Sequence, residues 1–219
     1  MTIKTLFAAA ALAASCAAAS SANAAGFVTL PGSAASLAAP AGAAVNTFNA
    51  PNPLAAGFTL TTSLAGIVTG STATSAQPAY SDGSAYLSVN AGGSATLANA
   101  VDGYHSVSIF LGSIDSFNAV DLLDNLGNVI ATWPGWAFTT PANGNQVLPN
   151  TNRRVTFTRG GNDALIGGLR FRSQYNSLEV DNVVFAVPES STWAMMLLGF
   201  GLAGMAIRSR RRRTRVVFA

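Results

Sequence analysis

"AVDLLDNLGNVIATW", Ala119 to Trp133, decides how the rest of the chain is read. Val120–Leu123 and Val129–Trp133 are short, largely apolar runs, too short to be helices. Between them lies Asp124-Asn125-Leu126-Gly127-Asn128. Asp and Asn side chains bond nearby backbone in tight turns, and Gly accepts a positive φ there. Two such runs joined by such a segment predict an antiparallel hairpin.

The same reading extends outward. Phe58–Thr61, Ala85–Val89, Ser94–Leu97, Val107–Ile109, Val155–Thr158 and Leu169–Arg172 alternate between apolar and polar residues, and Leu178–Phe185 supplies a last strand. Roughly eight to ten short strands divided by Gly, Asn, Asp and Pro predict an all-β domain over 58–187, a β-sandwich or jelly roll. Ahead of it, residues 25–57 carry Pro31, Pro40, Pro51 and Pro53, which exclude a long helix. This leader is expected to be extended, with short strands at Phe27–Leu30 and Val45–Phe48, one able to join a sheet edge.

The two ends differ in kind. Lys4 precedes an Ala-rich apolar stretch, Leu6–Ala19, and an Ala22-Asn23-Ala24 site. That order predicts a secretory signal peptide, a helix over 1–24 cleaved after Ala24. Lipid attachment at Cys16 is the lesser alternative, because Ala13-Ala14-Ser15 lacks a bulky residue three positions before it. Cys16 is the chain's one cysteine, so the mature protein has no thiol for a disulfide, a metal or a nucleophile.

At the other end, Trp193–Ile207 carries no charge. As a helix it spans about 22 Å, short of a bilayer core of about 30 Å. Adding Ser190–Thr192, and letting the following arginines snorkel, brings it close to spanning. Arg208, Arg210, Arg211, Arg212 and Arg213 form a cytoplasmic stop, so one transmembrane helix is expected with the domain outside and the tail inside. The charge balance agrees. The whole chain is +3, yet residues 25–187 hold five arginines against eight acidic residues, a balance of −3. The basic character belongs to the tail, and nucleic-acid binding is not expected.

Pro188-Glu189, Trp193-Ala194, a Gly-rich apolar span and an Arg-rich end, in that order over 188–215, resemble the PEP-CTERM sorting signal in its Trp-Ala variant. Ser190 stands where the family name implies Pro. The resemblance implies recognition by an exosortase, a membrane-embedded peptidase-like enzyme, and a cut near Pro-Glu. It therefore implies the secretion machinery as a partner and a membrane intermediate on the way to the cell surface or medium. "LGSIDSFNAVDLLDNLGNVIATWPG" (111–135) and "LEVDNVVFAVPE" (178–189), with "SDGSAYLSV" (81–89) and "PANGNQ" (141–146), also resemble a family of PEP-CTERM exoproteins. That likeness implies a secreted β-sandwich and transfers no catalytic residue.

Few residues in the middle suggest chemistry. His105 is the sole histidine, with no second His for a metal and no Ser elbow before it. Asp115, Asp121 and Asp124, with Asn118, Asn125 and Asn128, offer oxygen ligands of the kind that suit a structural Ca²⁺. The same residue types also build tight turns, and Asp181-Asn182 shares the ambiguity. Trp133 and Trp136 flank Pro134-Gly135 beside a loop, where exposed rings would stack on a sugar and buried ones would cap the core. Arg153, Arg154, Arg159, Arg170 and Arg172 read as one solvated face. No cofactor is expected. The expectation is a non-catalytic exported surface or matrix protein associated with exopolysaccharide or biofilm. The alternatives are a lectin-like carbohydrate-binding module and, with the least support, a secreted hydrolase.

Overall fold

A computed structural model describes residues 24–33, 38–186, 198–202 and 204. The signal peptide up to Asn23, the Pro188–Ala194 motif and the arginine tail lie outside the described residues. So does most of the expected transmembrane segment. Residues 198–202 and 204 are helical, and among the described residues no helix is long and apolar enough to cross a membrane. The chain divides into two units, Met1–Ala186 and Val187–Ala219.

The first unit is nearly all β. Its described strands are β1 (Gly26–Pro31), β2 (Ala44–Asn46), β3 (Phe58–Val68), β4 (Tyr86–Asn99), β5 (Ser106–Gly112), β6 (Asn118–Leu123), β7 (Val129–Pro134), β8 (Arg153–Thr158), β9 (Gly168–Ser173) and β10 (Leu178–Ala186). Every pairing is antiparallel, and hydrogen bonds join them along the path β1-β8-β5-β10-β4-β9-β6-β7. β2 pairs with β10 and β3 with β4, off this path. The strands thus form one continuous, curled antiparallel sheet.

The curl has a physical signature. β1 and β7 stand at opposite ends of the path, yet Phe27 of β1 meets Trp133 of β7 with ring centroids 5.8 Å apart. Phe157 of β8 packs between them, 6.2 Å from Phe27 and 4.9 Å from Trp133. Inward residues of successive strands fill the space so enclosed: Leu87 and Val89, Ile109 and Leu111, Val155 and Phe157, Leu169 and Phe171, Leu178 and Val180. The alternation that predicted the strands is this inward set.

The β6–β7 hairpin forms as the opening stretch requires, with Val120 opposite Trp133 and Leu122 opposite Ala131. Asp124 closes it by accepting from the Leu126 and Asn128 amides, both at 2.8 Å, and from Asn128 Nδ2 at 2.9 Å. Residues 85–89 and 94–97 read as two strands, but they are the halves of the single strand β4. The first half pairs with β10 and the second with β9. Gly92 takes φ +70° at the bend, and a Cβ on Gly93 would lie 2.6 Å from the Leu64 carbonyl oxygen. The glycines bend the strand and do not end it.

The outer faces of β4, β5, β8 and β10 are also covered. Tyr86, Phe110, Arg154, Glu179 and Asp181 point away from the core cluster and are all buried. Much of the cover is the long connection from β3 to β4. There Pro78 packs on Gly112, where a Cβ would stand 2.8 Å from the proline Cβ. This is why every residue of β10 up to Phe185 is buried.

Candidate functional site

Beneath the 71–76 loop lies a cleft of about 280 Å³. Its sides come from that loop and from Asn143–Gln146, and its floor includes Ser113, Ser177 and Glu179. Glu179 is 1% exposed. Its carboxylate accepts from the Ser113 and Ser177 hydroxyls and, at 3.2 Å, from the Ala76 amide. Burial raises its pKa, and those donors offset only part of the rise. Ser177 lies two residues before Glu179, but Ala76 and Ser113 come from distant connections, so the fold brings most of this floor together.

Asp115 lines the same cleft. Its amide donates to Asn118 Oδ1 at 2.7 Å, while no described residue donates to its carboxylate. Burial raises its pKa as well. Two glycines pack against it. A Cβ on Gly144 would collide with the carboxylate, and one on Gly135 would collide with the Asp115 carbonyl oxygen. The Trp-Pro-Gly-Trp turn is therefore seated on the Asp115 loop. Asn176 completes the wall, and its neighbour Tyr175 is 64% exposed with its ring held edge-on by Phe117 at 5.2 Å.

The cleft is a hydrogen-bonding surface. It presents hydroxyls, side-chain amides and two carboxylates, with no Lys, Arg or His in its lining. Such a lining suits an uncharged, hydroxyl-rich ligand and repels anions.

The three aspartates singled out above do not converge. Asp115 faces the cleft. Asp121, 0% exposed, is paired with Arg170 Nε at 2.7 Å and with Arg172 Nε and Nη2 at 2.9 and 2.8 Å, and accepts from Thr132 Oγ1 at 2.7 Å. Asp124 serves the hairpin turn. Among the described residues no three His, Cys, Asp or Glu side chains stand together as a metal site. The two tryptophans separate too: Trp133 packs on the core, whereas Trp136 is 62% exposed. His105 holds its place through backbone bonds to Ala186 and Arg159, and no described side chain hydrogen-bonds its ring.

The arginines do not share one solvated face. Arg154 is 4% exposed and donates to the Asn182 carbonyl at 2.7 Å. Burial pulls its pKa down to about 10, against the charge of Asp181. Asp181 itself is 0% exposed with Oδ2 unpartnered among the described residues, and Asn182 follows at φ 46°, within a bulge. Burial raises Asp181 to about 7; the nearby Asp82 adds to the rise, while the Asn182 amide and Arg154 oppose it. A carboxyl raised in the folded state stabilises fully below its unfolded value, near 4, and loses that contribution as pH rises through about 7. Unfolding free energy measured from pH 4 to pH 8 is therefore expected to fall more steeply for the native protein than for Asp181→Asn. The difference should be on the order of a few kcal/mol. Parallel curves would show that Asp181 titrates as in the unfolded chain.

Residues 186–212 match the family model of the PEP-CTERM protein-sorting motif. The chain carries a PEP-CTERM sorting signal. It is thus an exported protein with a C-terminal sorting segment, and the motif implies processing by exosortase, a membrane enzyme. The match covers Pro188, Glu189, Trp193, Ala194 and the arginines up to Arg212, and it touches the β unit at Ala186 alone. No curated protein matches the chain. Among solved structures, the enzymatically active domain of bacteriophage CBA120 tailspike protein 4 aligns at 15% identity and a TM-score of 0.23. The alignment covers 61% of this chain and 20% of that one, so the chain spans about a fifth of the tailspike's length. That likeness is too distant to carry fold or function across.

Proposed function

We propose that this is a non-catalytic surface or matrix protein. The secretion machinery exports it, exosortase releases it from its membrane intermediate, and extracellular polysaccharide retains it. The PEP-CTERM motif at 186–212 carries the proposal. A removable tail is useful only if the part left outside has a role there. The curled β unit, with sandwich-like or jelly-roll-like layering and a polar cleft, is suited to holding a partner.

In cells lacking exosortase the chain should accumulate at full length in the membrane fraction. In normal cells it should appear in the matrix or medium and co-sediment with the polysaccharide that the cells secrete. Identical fractionation of the two strains would overturn the sorting half of the proposal. A processed protein that stays in the supernatant would overturn the polysaccharide half.

A further inference from the structure

We infer that the cleft under the 71–76 loop is a binding site for an uncharged sugar residue of a polysaccharide, with Asp115 as the principal acceptor of its hydroxyls. This rests on the polysaccharide reading above and gives it a place on the molecule. That place is distinct from the Trp133–Trp136 turn, where sequence alone put the glycan contact.

Size restricts the ligand first. A cleft of about 280 Å³ lies just below the roughly 300–1,000 Å³ range of small-molecule pockets. It has room for a single sugar unit and not for a long segment buried end to end.

Charge restricts it next. With two carboxylates and no basic side chain in the lining, an acidic sugar or a phosphate would meet uncompensated repulsion. A peptide needs an apolar pocket for an anchoring side chain, and the apolar side chains of this lining are limited to two alanines, Ala73 and Ala76.

Hydrogen-bond direction then favours a polyol. Ser113 and Ser177 already donate to the buried Glu179 carboxylate, so their oxygens are left to accept. A sugar hydroxyl donating to either serine extends a chain that ends on a buried charge, and each bond in such a chain polarises the next. The Asp115 carboxylate, with no donor among the described residues, adds an acceptor able to form short charge-assisted bonds. Gly144 keeps the space beside it open. Tyr175 stands on the 174–177 turn with an exposed ring fixed by Phe117, a surface on which a neighbouring sugar unit can stack.

The test uses the protein as recovered from cells. It is titrated by calorimetry with neutral oligosaccharides (gluco-, galacto- and manno-tetraoses) and with a polyuronate tetramer, with and without EDTA. Asp115→Asn changes no volume and should melt as the native protein does. Its affinity for a neutral oligosaccharide that the native protein binds should fall at least tenfold. Trp136→Ala should bind as the native protein does, and Tyr175→Ala should bind several-fold more weakly. Native-like binding by Asp115→Asn, or loss on Trp136→Ala instead, would overturn the site while leaving the polysaccharide reading intact. Preference for the polyuronate would overturn the ligand class. Binding abolished by EDTA would assign Asp115 to a cation and overturn the proposal. A native protein that binds the secreted polysaccharide but none of the neutral probes would also overturn it. One that binds neither would remove the polysaccharide reading together with the site.

Discussion

Replacing Phe157 with Ala is expected to cost about 3–5 kcal/mol of folding stability. Phe157 is 0% exposed and stands where the two ends of the curled sheet meet. Its ring lies 6.2 Å from Phe27, 4.9 Å from Trp133 and 5.8 Å from Phe138. These three come from β1, from β7 and from the loop after β7, so a cavity at Phe157 removes packing from both sides of the seam. Among the described residues strand β1 pairs only with β8, and it should suffer first, because it is held by that pairing and by Phe27. Urea unfolding gives the global loss, and amide exchange at Gly26–Pro31 should accelerate more than at β10. A loss under about 1 kcal/mol would mean that the seam is not closed around this ring.

The second large effect belongs to Asp121. Burial alone would push its carboxyl up, but hydrogen bonds from Arg172, Thr132 and Arg170, and the charge of Arg172, hold it below the usual carboxylate range. The two arginine side chains are 39% and 43% exposed, so their own loss is screened by water. Asp121 has no such escape at 0% exposure. Removing both cations by Arg170→Ala with Arg172→Ala leaves a buried carboxylate with Thr132 as its one side-chain donor among the described residues, at a cost of about 3–5 kcal/mol at neutral pH.

The sign of the pH dependence separates this from simple loss of packing. In the native protein Asp121 contributes stability above its unfolded value, and loses it as pH falls through the depressed folded value. In the double variant burial dominates, and the carboxyl is stabilised by protonation instead. The gap between the two proteins should therefore be widest near pH 7 and narrow towards pH 4. A gap independent of pH would show that the arginines act through their aliphatic stems. Arg170→Ala alone should cost far less, because Arg172 keeps two nitrogens on the carboxylate.

These residues mark how far the sequence could be read. The β6–β7 hairpin was legible because its information is local: short apolar runs and a turn of Asp, Asn and Gly within fifteen positions. The all-β class followed from the same pattern repeated. The continuous curl was not legible, because what joins the ends is Phe27 against Trp133, more than a hundred residues apart. β4 was misread as two strands because glycines that bend a strand look like glycines that end one.

The charged residues show the same limit. Arg170 and Arg172 alternate with Leu169 and Phe171 on a strand, which says only that they leave the core. Their attachment to Asp121 comes from register across β6 and β9, with Asp121 opposite Arg170 and Ala119 opposite Arg172. Arg154 misled because a second layer of loops covers the outer face of β8. The setting of Glu179 is not legible locally, since two of its three donors come from residues 76 and 113. One signal did exist. Glu179 and Asp181 are acidic residues inside a largely apolar strand, Leu178–Ala186, and an acidic residue there requires donors or a raised pKa.

The sorting segment is the opposite case. Its recognition depends on order along the chain and not on tertiary structure, so Pro188-Glu189, Trp193-Ala194, the apolar span and the arginines were readable directly, and the family match falls on them. The claim that this segment is an address removed in transit is tested most directly by the intact mass of the protein recovered from cells. The account predicts a chain that begins at Ala25 and ends near Pro188, found outside the membrane fraction. A mass that still includes Arg215, found only in the membrane fraction, would contradict it and make the segment a permanent anchor.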